Sequence, residues 1–217
     1  MDTVSVITST HERRGHLYEN VLRSVWRQDY HGPVEHIIVA DGPDPELTTF
    51  FLGAAYYCRR LYGSAAGPRT LRYIELGRNW QRFSGGRSWG AVPRAVGAYA
   101  AAGNFLAYLD DDNFYRPQHL SKLVTLLRER DVDFAYGQFF DHRKHQVVGR
   151  EPPAHTHIDT SALVHRADLL LQPDCQWRAA GYASDADVVR RWLAAGARHA
   201  FLPEVTFDYG VGVPFAS

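Results

Sequence analysis

Short apolar runs alternate along the chain with segments in which apolar residues recur every three or four positions. The runs are typical of buried strands and occupy residues 3–8, 34–40, 71–75, 105–109, 134–140, 158–164 and 200–205. The periodic segments predict helices at about residues 15–28, 45–62 and 88–102, and helices that begin near 117 and 184. Such an alternation predicts a single α/β domain whose mostly parallel sheet carries helices on both faces.

The helical pattern is clearest after Pro117, because proline is favoured in the first turn of a helix. The apolar positions there follow the i, i+3, i+4, i+7 spacing of one helix face, and they are Leu120, Leu123, Val124 and Leu127. Two segments show no clear period. Residues 77–88 are polar and contain glycine, which predicts a mobile loop, and residues 141–150 are expected to form a hairpin or a loop.

Three consecutive aspartates, Asp110, Asp111 and Asp112, follow the strand predicted at residues 105–109. Adjacent carboxylates repel one another and raise one another's pKa unless a cation lies among them, so a divalent metal with a phosphate-bearing ligand is expected. On an extended backbone Asp110 and Asp112 point to the same side, with Cα atoms roughly 6.6 Å apart, and Asp111 points away. The alternative is a solvated acidic turn in which Asn113 caps a helix.

The second predicted strand also ends at a carboxylate, Asp41, which opens the turn sequence D-G-P-D. Ligands of open α/β sheets bind outside the carboxyl ends of the strands, so Asp41 and the three aspartates are expected at one site. The first turn, residues 9–15, lacks G-x-G-x-x-G, and the chain contains no G-x-x-x-x-G-K-[ST]. These absences disfavour a dinucleotide-dependent dehydrogenase and a P-loop NTPase.

The composition of the chain and the lengths of its apolar runs argue against several other classes of protein. The 217 residues carry a formal net charge of zero, and the basic residues are scattered, so nucleic acid is not an expected partner. Cys58 and Cys175 form no C-x-x-C pattern, and neither a disulfide framework nor a zinc site is expected. The apolar runs are too short for a signal peptide or a transmembrane segment, which predicts a cytoplasmic protein. The oligomeric state, including a homodimer, is left open.

The order and spacing of several short motifs resemble the GT-A glycosyltransferases, specifically the large family-2-like group of inverting enzymes. Residues 9–13 (S-T-H-E-R) are similar to the family's P-T-Y-N-R turn, and residues 39–45 (V-A-D-G-P-D-P) to its V-D-D-G-S-x-D. Residues 93–95 (P-R-A), 102–104 (A-G-N) and 109–113 (L-D-D-D-N) are similar to its A-R-N, A-x-G and L-D-x-D-D. The resemblance covers about residues 4–205. It implies one GT-A domain with a nucleotide-binding half over about residues 1–113 and an acceptor half over about 114–217.

Applied to this sequence, the resemblance implies a site for a nucleoside-diphosphate sugar. Thr10 and His11 would line the base pocket, with His11 stacking on the base. Asp41 would accept a hydrogen bond from the base ring, and Arg94 would reach the base or the diphosphate. Asp110 would hold the ribose. A UDP-sugar is the first expectation for the donor, followed by GDP and deoxythymidine diphosphate sugars.

The resemblance also implies a metal site and a general base. Asp112, together with Asp110, would bind Mn²⁺ or Mg²⁺ at the diphosphate. Asp185 would be the base that corresponds to the family's E-D motif, although Ser184 replaces the Glu. The helix N-terminus lowers the pKa of Asp185, and partial burial by Trp177 and Tyr182 opposes that effect. Asp187 is interpreted as the reciprocal partner of Ser184 in a capping box rather than as a catalyst.

The predicted function is metal-dependent transfer of a sugar from a nucleoside diphosphate to an acceptor hydroxyl or amine, with inversion. Two alternatives remain. A sugar-phosphate nucleotidyltransferase needs a G-G-x-G-x-R loop and a nearby lysine after the first strand, and the chain has neither there. The second alternative is a non-catalytic nucleotide-binding domain. His155 and His157 are ascribed a structural or surface role, with metal or acceptor binding as the alternative, and Asp159 is a candidate on the acceptor side.

Overall fold

The computed structural model describes residues 1–12, 17–62 and 67–211 of the chain. Its strands are β1 (Val4–Thr10), β2 (Val34–Ala40), β3 (Arg69–Glu75), β4 (Phe105–Tyr108), β5 (Phe114–Tyr115), β6 (Phe134–Asp141), β7 (Gln146–Val148), β8 (Leu163–Arg166) and β9 (His199–Tyr209). Its α-helices are α1 (Arg23–Trp26), which continues a π-helical turn over Leu17–Leu22, α2 (Pro45–Tyr62), α3 (Trp80–Phe83), α4 (Ala91–Ala100), α5 (His119–Arg130) and α6 (Ser184–Ala194). Short 3₁₀ turns occupy Thr160–Ala162, Ala167–Leu171 and Gly181–Ala183.

The described strands form one nine-stranded sheet with the order β3-β2-β1-β4-β8-β6-β9-β5, and β7 pairs with β6. The first four strands in this order run parallel. β8 then runs antiparallel to both of its neighbours, β4 and β6, and β9 runs parallel to β6. The sheet therefore has a parallel half of the kind that binds ligands at its carboxyl edge, joined to a mixed half, and the predicted α/β fold is confirmed.

The strongest sequence patterns coincide with regular elements. β2 and α2 have the bounds that the sequence predicts, and the predicted stripe of α5 is buried in the core. All residues of β2 are buried, as expected for a strand covered on both faces. Each fully buried leucine contributes roughly 1.5–3 kcal/mol relative to an exposed one, so these faces dominate the stability of the fold.

Hydrogen bonds to nearby side chains shift some predicted boundaries. The strand predicted at residues 158–164 begins only at Leu163, because Asp159 caps a 3₁₀ turn with its carboxylate, which accepts the Ser161 N–H at 2.8 Å. The strand predicted at residues 105–109 ends at Tyr108. The segment 141–150 is a hairpin in which β7 returns along β6. The two residues of β5 were too few to show a strand pattern.

The capping box predicted at residues 184–187 does not form. α6 begins at Ser184 itself, with Ala183 at the N-cap position and no side-chain cap. Asp187 instead accepts a hydrogen bond from Nε of Arg191 at 2.9 Å, and the Arg191 side chain is only 8% exposed. Asp187 therefore pairs with Arg191 of the same helix. Its predicted role as the reciprocal partner of Ser184 in a capping box is wrong.

Helix α4 packs unusually closely on the sheet at Gly97. A Cβ atom at this position would lie 2.5 Å from Cγ2 of Ile7 and 3.2 Å from Cγ2 of Val39. Any residue other than glycine would therefore displace these side chains. The close approach buries Arg94, one turn earlier on the same helix, beneath the carboxyl edge of the parallel strands.

Within the described residues, none of the helices has the length and apolar character needed to cross a membrane.

Candidate active site

A cleft of about 820 Å³ lies at the carboxyl edge of the parallel strands and extends to the β6–β7 hairpin. The residues that the sequence predicts for the nucleotide, the metal and the base all line this cleft, and they are Thr10, His11, Asp41, Arg94, Asp110, Asp112 and Asp185. Asp111, Asp159 and His155 line it too, whereas His157 is not among its lining residues. Residues from both ends of the chain therefore converge on one site.

The three aspartates lie in a turn rather than on an extended strand. The turn is closed by the Asn113 N–H, which donates to the carbonyl of Asp110 at 3.0 Å. The alternation expected for extended backbone therefore does not apply, and Asp111 lines the cleft instead of pointing away from it. Asp111 accepts a hydrogen bond from the Thr10 hydroxyl at 2.9 Å, so Thr10 ties the end of β1 to the acidic turn.

Asp110 and Asp112 each have a basic partner from a different part of the chain. Asp110 accepts from Nη2 of Arg94 at 2.5 Å, and Asp112 accepts from Nη2 of Arg143, on the β6–β7 turn, at 3.2 Å. The Val211 N–H also donates to the carbonyl of Asp112 at 3.0 Å. These partners offset the repulsion between the carboxylates, and they bring the hairpin and the end of β9 to the acidic turn.

Arg94 is the buried cation of the site. Its side chain is 7% exposed, its Nη1 donates to the carbonyl of Trp89 at 2.8 Å, and its guanidinium lies 5.4 Å from the ring centroid of Trp177. Burial alone would lower the pKa of Arg94, but the facing carboxylates of Asp110, Asp185 and Asp159 raise it above its usual value. A buried guanidinium surrounded by carboxylates stays charged and fixes where an anionic ligand can lie.

Asp185 stands at the first turn of α6, and its Oδ1 accepts the Ala186 N–H at 2.7 Å. Burial, the largest effect, raises the pKa of this carboxyl, while the Ala186 N–H and Arg94 lower it and Asp110 raises it further. The balance is a raised pKa, so burial outweighs the helix N-terminus. The side chain of Tyr182, one of the two residues expected to cause this burial, lies outside those the structure describes.

Asp159 is a second carboxyl group with an unusual environment. It accepts hydrogen bonds from the Ser161 N–H at 2.8 Å and from Nδ2 of Asn113 at 3.4 Å. Burial raises its pKa well above the ordinary value, and the charges of Asp110 and Asp185 raise it further. Three carboxyl groups thus share the field of one guanidinium, that of Arg94. A divalent cation bound nearby would favour the ionised forms of these carboxyl groups.

Asp41 organises a neighbouring segment of the cleft wall. Its two carboxylate oxygens accept the N–H groups of Trp80 at 2.8 Å and Gln81 at 3.1 Å, and its carbonyl accepts Nδ2 of Asn79 at 2.8 Å. Asn79 in turn lies 3.2 Å from the ring nitrogens of His11. Residues 79–83, predicted as part of a mobile loop, therefore form the helical turn α3 that is held by Asp41.

The cleft wall also contains residues that were not predicted for the site, among them Gln81, Trp89 and Arg143. Gln81 and Arg143 lie in segments without a periodic pattern, and each contacts a site residue that is distant in the chain. A local signal exists only for Trp89, which precedes Gly90 in a W-G turn sequence directly before α4.

A comparison with protein-family models assigns residues 5–187 to one described as "Glycosyl transferase family 2". The match spans most of the chain, and it includes every residue predicted for the site. The chain belongs to glycosyl transferase family 2. The resemblance drawn from the five short motifs is thereby confirmed at the level of the family. No curated protein sequence matches the chain significantly.

Solved glycosyltransferases share the fold of this family 2 chain at low sequence identity. The structure of S. aureus TarS 1-349 in complex with UDP-GlcNAc is 16% identical, with a TM-score of 0.65, over 95% of this chain and 58% of that one. The mannosyltransferase PcManGT from Pyrobaculum calidifontis, in complex with GDP-Man and Mn²⁺, is 15% identical, with a TM-score of 0.71, over 96% and 56%. S. aureus TarS is 18% identical, with a TM-score of 0.68, over 96% of this chain and 37% of that one. The chain therefore spans less than two thirds of the length of these structures.

Proposed function

We propose that the chain is a nucleotide-sugar-dependent glycosyltransferase that transfers a hexosyl group to an acceptor hydroxyl or amine. The observation that carries the proposal is the convergence of Arg94, Asp110, Asp112 and Asp185 on one cleft of a family 2 domain. Solved structures with this fold bind UDP-GlcNAc or GDP-Man, which supports a sugar nucleotide as the donor.

The donor's nucleotide would lie against the first half of the chain. Thr10 and His11 stand at the end of β1, and His11 keeps 40% of its side chain exposed, so its ring is accessible to a base. Both oxygens of Asp41 already accept backbone amides, and we assign it a double role, in which it holds α3 and accepts from the base with a remaining lone pair. Arg94 would supply positive charge for the diphosphate, and Asp110 would accept a hydrogen bond from the ribose.

Asp112 and Asp110 are proposed to hold Mn²⁺ or Mg²⁺. Among the described residues no three His, Cys, Asp or Glu side chains form a complete metal site. One or two carboxylates that leave positions for water and substrate phosphates are what Mg²⁺ requires in such sites, and the carboxylate donors present here fit it. When bound, the ion supplies Lewis-acid stabilisation of the leaving diphosphate. Asp112 would exchange its contact with Arg143 for that ion.

Asp185 is proposed as the general base of a single displacement. Asp185 lines the cleft, and we assign it to the face of the sugar opposite the leaving diphosphate. There it would take the acceptor's proton as the new glycosidic bond forms. A carboxylate with a raised pKa is a stronger base than an exposed one. Attack from that side inverts the anomeric configuration of the sugar.

The test is thermal unfolding of the protein with UDP, GDP or deoxythymidine diphosphate, with and without Mn²⁺. One nucleotide should raise the melting temperature only when the metal is present. Ligand at about 100 times its dissociation constant stabilises the folded state by about 2.7 kcal/mol. The corresponding nucleoside, which lacks the diphosphate, is the control and should have no such effect. If none of the three nucleotides shifts melting, the proposed function is wrong.

A further inference from the structure

Trp89 places a large aromatic side chain in the wall of the cleft. Its side chain lines the cleft and the residue is 49% exposed. Its backbone φ is 42°, in the left-handed region that bulky residues rarely adopt, and Gly90 follows with φ 75°. Unfavourable backbone conformations of this kind persist only where the surrounding structure holds them, and they cluster at ligand sites.

Hydrogen bonds on both sides hold this conformation. The Trp89 N–H donates to Oε1 of Gln81 at 2.5 Å, and the Trp89 carbonyl accepts from Nη1 of Arg94 at 2.8 Å. At Gly90 a Cβ atom would lie 2.8 Å from the Ser9 hydroxyl and 3.1 Å from Nη1 of Arg94, so the chain passes tightly between them. The backbone of Trp89 is thus fixed by residues of the site itself.

Further hydrogen bonds connect the chain segment around Trp89 to two functional parts of the cleft. On one side, Gln81 is anchored to the carboxylate of Asp41. On the other, the Arg87 carbonyl accepts the N–H of Gly181, which lies just before Asp185 in the chain. The sugar that is transferred must lie between the diphosphate and the base, and Trp89 lines the cleft on a segment that is connected to elements bearing residues of both sites.

We propose that the indole of Trp89 is the platform on which the transferred sugar rests, and that it discriminates the sugar nucleotide from the bare nucleoside diphosphate. This inference rests on the proposed function. The C–H face of a pyranose is apolar, and a flat, rigid indole offers it a large contact area at little cost in conformational entropy. The hydroxyl groups at the edge of the ring remain free to bond with the polar residues of the cleft.

Phe83 offers a matched control. It is exposed to a similar degree, 64%, and belongs to the same segment of chain, but it lies outside the cleft, where its ring is 4.8 Å from the guanidinium of Arg78. Exchange of Phe83 for leucine removes an exposed aromatic ring without touching the site.

The experiment is calorimetric titration, with Mn²⁺, of the wild type and the Trp89→Leu, Trp89→Phe and Phe83→Leu variants. The ligands are UDP with UDP-GlcNAc, and GDP with GDP-mannose. For the pair that binds, Trp89→Leu should weaken the sugar nucleotide by about five- to tenfold, the size of an aromatic contact. The affinity of Trp89→Leu for the diphosphate should change by less than about twofold. Trp89→Phe should retain most of the affinity for the sugar nucleotide, and Phe83→Leu should bind both ligands as the wild type does.

Equal weakening of both ligands by Trp89→Leu, or no weakening of either, overturns the role of Trp89 and leaves the proposed function intact. Wild-type protein that binds neither pair overturns this inference, whereas the proposed function is overturned only if deoxythymidine diphosphate also fails to bind. Circular dichroism melting of each variant checks that the fold is retained. Since the variants keep the same backbone contacts, their melting curves should resemble that of the wild type.

Discussion

Single residues of the cleft act through the field that their neighbours create. Arg94 is buried, yet its pKa is raised because the surrounding carboxylates outweigh the cost of burial. The pKa values of Asp159 and Asp185 are raised as well, but for a carboxyl group this shift favours the neutral, protonated form, because burial and neighbouring negative charge both disfavour ionisation. The positive charge of Arg94 thus offsets the mutual repulsion between the surrounding carboxylates.

Asp185 provides the most direct test of the mechanism at this scale. Asp185→Asn should lower the transfer rate by about 10² or more, the usual contribution of a general base, while metal-dependent binding of nucleotide stays close to that of the wild type. The product of the wild type should have the inverted anomeric configuration. The assay compares Asp185→Asn with Asp187→Asn. A near-normal rate for Asp185→Asn, or a product of retained configuration, would remove Asp185 from this role.

The raised pKa of Asp185 also gives the pH dependence a direction. A base acts in its ionised form, and a raised pKa means that this form is lost at a higher pH than for an exposed carboxylate. The acid limb of the pH profile of kcat should therefore lie above the pH range in which exposed aspartates titrate, and it should be absent from the residual activity of Asp185→Asn.

At the scale of elements, short helices hold the site through contacts that their own sequences do not show. α3 has one turn and stays in place because Asp41 accepts two of its amides. α6 begins without a cap, and Asp187 in its first turn holds Arg191, which also donates to the carbonyls of Asp174 and Gln176. Each element is therefore stabilised by a connection to another part of the chain.

Asp187→Ala should lower the free energy of unfolding by about 1–3 kcal/mol, because it leaves the Nε donor of the buried Arg191 side chain without its partner. Burial raises the pKa of Asp187, but hydrogen bonds from Arg190 and Arg191 outweigh it and lower that pKa below the ordinary value. Its contribution is therefore present above the pKa of the unfolded chain and is lost as the pH falls through the lower folded-state value.

Urea unfolding at neutral and at acidic pH measures this effect. The difference between the wild type and Asp187→Ala should shrink at the acidic pH. Asp168→Ala, at an exposed aspartate of the 3₁₀ turn Ala167–Leu171, is the control and should change stability by less than about 0.5 kcal/mol. A difference that is the same at both pH values would contradict an ion pair as the cause.

At the scale of the whole molecule, the cleft lies where the parallel and mixed halves of the sheet meet. Asp112 follows β4 of the parallel half in the chain and contacts the mixed half, since Arg143 reaches it from the β6–β7 hairpin and Val211 from the end of β9. The acidic turn after β4 thus joins the predicted nucleotide-binding half to the predicted acceptor half. Loss of a charge at Asp112 is expected to affect the reaction more than the fold.

Removal of divalent metal with EDTA should abolish transfer. Asp112→Asn should cost several kcal/mol of transition-state stabilisation, roughly 3–4 if it equals the loss of one strong electrostatic contact to the leaving group. Transfer rates are measured in EDTA and after Mn²⁺ or Mg²⁺ is added back, with Asp168→Asn as the unaffected control. Full activity in EDTA would contradict metal dependence.

Local patterns in the sequence were sufficient to predict much of the fold and to indicate that several aspartates lie at one site. The stripe of α5 and the run of β2 are periodic signals whose cause, burial of one face or of both, acts within a few residues. The D-G-P-D turn and the three aspartates stand at strand ends, and parallel strands bring their carboxyl ends to one edge. Asp41 and the three aspartates could therefore be expected at one cleft before any contact was known, whereas Thr10, His11 and Arg94 were expected there only from the resemblance to the glycosyltransferases.

The tertiary structure alone decided which partner each of these residues has. Thr10 and Asp111 are 101 positions apart, and the bond between them depends on the pairing of β1 with β4. The two oxygens of Asp41 bind α3, a segment without any pattern, and Asp187 prefers Arg191 to the cap that its spacing indicates. The pKa of Asp185 likewise follows from burial by distant parts of the chain. Periodicity records which side of an element faces the core, whereas hydrogen bonds and charges between distant residues depend on packing that no local window contains.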